Sequence, residues 1–363
     1  MILSEACGKS EPGRGRSLLR QRIDQQRVQL WFQWIQLRSR GATYYALEKQ
    51  LIGDGFGRNA DGVLSHRHRM ARYAQGKHVP RSALIERAEL AFPRSRALLE
   101  HVYWDIIDPE KDLMTLRPRW LAGLGPETQR VLHRSDSRAS EFMVDREKTS
   151  RRLLRRLERL GSFEALAATA LLLREAQAEG RKLLAYQCAQ SFWVILLLIG
   201  STVPFINLLP AMAALAGEAL TDHVQHDDEQ VAIATAPVLL YERILRHHCL
   251  AREDRGLLDP RWNSWVRYRL QLMRGDYGFD LLFALRLPMT ATASLRADPA
   301  RHLAFQRDAL VRWKALDYIT QAEWAKRSFM DDWVAYMEDP EGRWPELSDG
   351  PVPLAESPSD GRA

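Results

Sequence analysis

Between Gln25 and Arg38 the apolar residues Val28, Trp31, Phe32 and Ile35 fall at i, i+3, i+4 and i+7, which places them on one face of a helix. Gly41 ends that run, and Thr43 is positioned to cap a short second helix over 44–52 with Tyr44, Leu47 and Leu51 on one side. The stretch from Gly53 to Gly62 holds four glycines together with Asn59, Asp54 and Asp61, a density of breakers that predicts a loop with neither helix nor strand. Ser65 then caps a compact basic helix running from His66 to Tyr73, closed by Gly76 and followed by Pro80, which suits the first turn of another helix. That next helix is expected over about 81–91. After Pro93 a fifth follows, carrying Leu98, Val102 and Ile106 at i, i+4 and i+8.

Pro118, Gly123, Gly125 and Pro126 punctuate the following stretch, so 109–140 reads as a linker or irregular wrap. Beyond it the 3.6-residue period, with few β-branched runs, predicts helices over 141–160, 163–179, 181–200, 205–223, 227–250, 261–274, 279–286, 299–316 and 320–338. After Asp339 come Pro340, Pro345, Pro351, Pro353 and Pro358 among Ser, Gly and Asp, a composition too poor in apolar side chains to fold. The expected organisation is a flexible arm (1–22), a basic module (23–108), the linker (109–140), a helical domain with an apolar central hairpin (141–339) and a disordered tail (340–363). The fold class is all-α.

Composition supports a globular chain, with 46% apolar and 27% charged residues. The net charge of +6 is unevenly spread. Residues 1–100 carry 18 basic and 9 acidic groups, whereas residues 161–363 carry 21 and 27. A cationic front favours a polyanionic partner, because basic groups that meet phosphate release its counterions. The three cysteines, Cys7, Cys188 and Cys249, show no paired spacing, which points to a reducing compartment. Charged residues interrupt the first twenty positions, so no signal peptide is expected there and the protein reads as cytoplasmic.

The order of a short helix, a basic helix, then a glycine and a proline at fixed offsets resembles the helix-turn-helix of the Cro/cI repressor class. The matching text runs from Arg69 through Tyr73 and Gly76 to Pro80, and the resemblance covers about residues 25–107. It implies a helix placed in the major groove of DNA, with His66, Arg67, Arg69 and Arg72 reaching phosphates or base edges and Lys77 and Arg81 holding backbone phosphates. It also implies a regulatory protein acting as a homodimer, the second domain serving dimerisation or sensing. In one respect the chain departs from that class: ten breaker-rich residues stand where repressors have a short turn. The alternative reading is an adaptor whose basic module binds another protein.

Leu183 to Gly217 carries no charged residue, and Phe192 to Ile199 is its densest apolar part. About 20 such residues can cross a bilayer. The two readings are a buried helix hairpin turning near Gly200–Pro204 and a membrane segment. In the second case Arg174, Arg181 and Lys182 would hold the N-terminus in the cytoplasm at the inner membrane.

Other chemistry is faint. His223, His226, Asp227 and Asp228, and His247, His248 and Cys249, contain ligand types for zinc or iron, but their spacing fits no metal motif. Adjacent histidines on a helix point about 100° apart. Gly53 to Gly57 lacks the spacing of a phosphate-binding loop, and no nucleophile elbow occurs. The sequence therefore predicts no metal, no cofactor, no identifiable small-molecule ligand and no catalytic site.

Overall fold

A computed structural model describes residues 17–53, 56–58, 64–66, 68–133, 146–320 and 329–338. Over these residues the fold is all-α, with two small antiparallel β elements at its margins. The first helix, α1 (Leu18–Arg38), is capped by the Ser17 hydroxyl, which accepts from the Arg20 N–H at 3.3 Å. Residues 18–22 are thus helical rather than part of a flexible arm.

Two opposite sides of α1 are buried. Val28, Trp31, Phe32 and Ile35 pack with Leu47 and Leu51 of α2 (Tyr44–Ile52), Met70 of α3 (Arg69–Ala74), Leu84 and Ala88 of α4 (Ser82–Ala91) and Leu99 of α5 (Ser95–Leu99). Ile23 and Leu30 point about half a turn away and belong to the main core. Polar contacts follow the same side: the Gln26 amide donates to the Ala211 carbonyl at 2.5 Å, and Arg22 pairs with Glu218.

The described part of the stretch predicted as a linker or irregular wrap, 109–133, is largely helical. After α6 (Tyr103–Ile106) come α7 (Leu113–Ala122) and α8 (Pro126–Leu132), anchored in the main core by Trp120 and Leu132. Asp112 caps α7 by accepting from the Thr115 N–H at 2.7 Å. Pro126 stands at the start of α8, where a missing N–H leaves no bond unmade. Gly123, Gly125 and Pro126 mark helix ends here, whereas Pro118 lies inside α7.

The main core is built from α9 (Arg151–Leu160), α10 (Phe163–Ala178), α11 (Lys182–Gly200), α12 (Leu209–Ala216), α13 (Val238–Glu253) and α14 (Trp262–Met273). α10 turns into α11 through Gly180, whose φ of +66° suits a residue without a Cβ. Around α11 pack α9, α10, α12, α13 and α14. Among the described helices α11 alone is long and apolar enough to cross a bilayer, and 67% of that span is buried inside the protein. The chain then bends through 201–208 and returns as α12, so the apolar segment forms the central hairpin.

Several predicted helices need correction. The one expected after Pro93 breaks into α5 and α6, and the one expected over 141–160 starts only at Arg151, 146–150 being non-helical. α12 ends at Ala216 and runs on only as a π-helical turn, Gly217–Thr221. Where a helix is expected from 227, the chain instead forms a hairpin of β3 (Gln225–His226) and β4 (Glu229–Val231), and α13 begins at Val238. Asp227 and Asp228 form the turn with φ of 51° and 64°, the left-handed pair of a type I′ turn. β5 (Met289–Ala291) pairs with the other edge of β4.

The predicted helix over 279–286 is α15 (Phe279–Ala284). α16 (Ala293–Ala297), which no pattern foretold, leads into α17 (Pro299–Thr320), and α18 (Phe329–Glu338) follows. A third cluster joins Val311, Ala315, Tyr318, Phe329 and Tyr336 of α17 and α18 to Ala284 of α15. Residues 1–16, 134–145 and 321–328 and the predicted tail lie outside the described residues.

Candidate nucleic-acid interface

The breaker-rich loop contains a strand after all. β1 (Phe56–Arg58) pairs antiparallel with β2 (Leu64–His66), in the register Phe56 to His66, so a small hairpin stands between α2 and α3. His66 is therefore a strand residue, and the basic helix is shorter than the sequence predicts: α3 begins at Arg69, not at His66. Arg67 lies outside the described residues. The helix start is displaced because His68 adopts a left-handed backbone, φ 47°, which no helical residue shares.

In place of Ser65, the group that caps α3 comes from another helix. Glu48 of α2 is almost wholly buried, and its Oε2 accepts from the Arg69 N–H at 3.2 Å. A carboxylate at a helix N-terminus satisfies a free N–H and opposes the helix dipole. This one side chain fixes α3 against α2 across the hairpin insertion. Sequence reasoning missed it, because in the periodic pattern Glu48 is merely a polar residue beside Leu47.

At its other end α3 is shaped by Gly76, with φ of +68°. A Cβ there would meet the Gln25 carbonyl oxygen at 2.5 Å, so the turn lies flush on α1. The Gln25 amide donates to the Gln75 carbonyl at 3.3 Å. Tyr73 packs edge-on against Trp31, ring centroids 5.8 Å apart. Burial pushes the Tyr73 hydroxyl up, an effect the charges of Arg69 and Arg81 partly offset.

The structure thus gathers Arg69, Arg72, Lys77 and Arg81 along α3, the turn after it and the start of α4, with Arg72, Lys77 and Arg81 exposed. Among the described residues none of these four side chains forms an ion pair. No acidic residue occurs between Asp61 and Glu86. The first turn of α4 has no side-chain cap at Arg81, and its Leu84 N–H is met by the Arg81 carbonyl at 2.9 Å. Such a surface can hold phosphate groups; it contains no nucleophile paired with a base and nothing that would hold a cofactor.

The faint metal ligands do not converge. Among the described residues no three His, Cys, Asp or Glu side chains form a metal-holding group. Asp228 instead accepts from Arg301 at 2.7 Å and from Ser294 at 3.1 Å, and the His226 ring stacks on Tyr186. Compared with known proteins, the chain matches no family model, no curated protein and no solved structure.

Proposed function

We propose that the chain is a DNA-binding regulatory protein whose α3, Gln75–Arg81 turn and α4 start meet duplex DNA, and whose larger helical body serves dimerisation or sensing. The supporting observation is the run of cations from Arg69 to Arg81, without an ion-pair partner among the described residues and with no carboxylate in the sequence between Asp61 and Glu86, presented by a helix pair that Glu48 holds together. Like charges crowded on a short element repel one another, and an anionic partner relieves that repulsion. A six-residue helix is only about 9 Å long. On this reading α3 supplies few base contacts, and phosphate contacts from Lys77 and Arg81 carry most of the affinity. A homodimer in the cytoplasm accompanies the proposal.

The test is fluorescence anisotropy of the full-length chain with random duplex DNA over a salt series. Binding should weaken linearly in log salt, and Arg72→Ala, Lys77→Ala and Arg81→Ala should each reduce the slope by about 0.9, the value of one phosphate contact. All three side chains are exposed, so the variants should keep the parent fold. Unchanged affinity in all three, or no binding at low salt, would reject the interface and leave a protein partner as the reading to pursue.

A further inference from the structure

A cavity of about 710 Å³ opens between α9, α11, α15 and α17. That volume lies within the range of small-molecule sites. Buried apolar side chains, among them Leu154, Trp193, Leu270 and Leu285, form part of its lining. Trp313 and Phe305 of α17 line it too, as does Gln187 of α11, whose amide has no hydrogen-bond partner among the described residues.

Its charges do not balance. Five arginines and three carboxylates line the cavity. Arg274 pairs with Glu158 at 3.0 Å and Arg286 with Asp308 at 3.0 Å. Arg151 and Arg155, one turn apart on the same face of α9, have no acidic partner among the described residues. Arg312 is held by neutral groups, donating to the Arg286 and Leu287 carbonyls at 2.7 and 3.2 Å. Carbonyl oxygens orient a guanidinium without cancelling its charge. Burial and the nearby Asp308 push up Glu229, the remaining carboxyl, and even with it counted as charged the lining holds two more arginines than carboxylates.

We infer that this cavity binds a nucleoside phosphate, with Arg151, Arg155 and Arg312 taking the phosphate charge, an aromatic wall at Trp313 and Phe305 taking the base, and the free Gln187 amide reading a base edge. Guanidinium groups match phosphate oxygens in pairs. A side-chain amide both donates and accepts, as a base edge does, and an aromatic ring offers the base a stacking face. A bare anion would leave the apolar lining unused, and a purely apolar ligand would leave three guanidiniums unanswered. The inference stands whether or not α3 binds DNA.

The experiment is calorimetric titration of the full-length protein, with no DNA present, using ATP, GTP, AMP and GMP, with adenosine, guanosine and inorganic phosphate as controls. At least one nucleotide should bind at least about tenfold more tightly than its nucleoside and than phosphate. Arg155→Ala and Arg312→Gln should each weaken that binding about tenfold with an unchanged near-ultraviolet spectrum. Arg155 is exposed, and glutamine can still donate to the carbonyls that hold Arg312. Three results would overturn the inference: no nucleotide binding, phosphate binding as tightly as any nucleotide, or both variants binding like the parent. Displacement of the nucleotide by duplex DNA with the same arginine dependence would also overturn it, by making the cavity part of a nucleic-acid surface.

Discussion

Glu164 lies in the first turn of α10, where its carboxylate accepts from the Gly125 N–H at 3.0 Å and meets the His101 ring at 3.1 Å. Burial pushes this carboxyl up, but the hydrogen bond and charge of His101 together with the Gly125 N–H outweigh it and hold it below its ordinary 4.5. A carboxyl lowered by folding contributes stability that is present above 4.5 and is lost as pH falls through its folded value. Glu164→Gln should therefore cost about 1 kcal/mol at pH 7, modest because the group is still partly wet. The gap should close as pH falls below the lowered folded value of Glu164. Urea unfolding of both proteins at the two pH values measures it; an equal gap at pH 7 and pH 3 would deny the ionic origin. None of this was legible in the sequence, since His101, Gly125 and Glu164 come together only through the fold.

The longer helices were legible in the sequence, as were the short α2, α4 and α15, but the strands and α16 were not. α10, α11 and α14 follow an apolar period long enough to read. Strands of two or three residues, such as β3 and β4, leave no alternation to detect, and their turn uses Asp227–Asp228 where a glycine would have signalled it. At the candidate interface the four cations were legible from composition, but the true start of α3 depends on Glu48, twenty-one residues earlier. For 183–217 the pattern left core and membrane both open; in the structure 67% of the apolar span of α11 is buried among the helices packed around it. Leu197 is fully buried and Trp193 donates to the Leu285 carbonyl at 3.0 Å. Leu197→Ala should accordingly lower the urea-unfolding stability of the detergent-free protein by roughly 2–5 kcal/mol. A loss under about 1 kcal/mol would be inconsistent with a core position.

At the scale of the whole molecule the two larger cores share α1, with Trp31 on one side and Leu30 on the other. The basic module and the larger body are therefore expected to unfold together. Scanning calorimetry should show one main transition, shifted downward by Trp31→Ala and by Leu30→Ala alike, each costing a few kcal/mol. Two resolved transitions, each responding to only one of the substitutions, would show that the cores are independent. The period that betrayed Val28, Trp31, Phe32 and Ile35 concealed this sharing, because Ile23 and Leu30 are too sparse to form a stripe of their own.

The double burial of α1 also decides where the chain can be cut. A fragment ending after α5 would keep the smaller core intact and yet leave Ile23 and Leu30 facing water, beside a Gln26 amide stripped of the Ala211 carbonyl. Such a piece would gain by covering that stripe with a second copy of itself. A dimer found in a fragment of this kind would report the wound made by the cut, and the subunit count of this protein has to be taken from the unbroken chain.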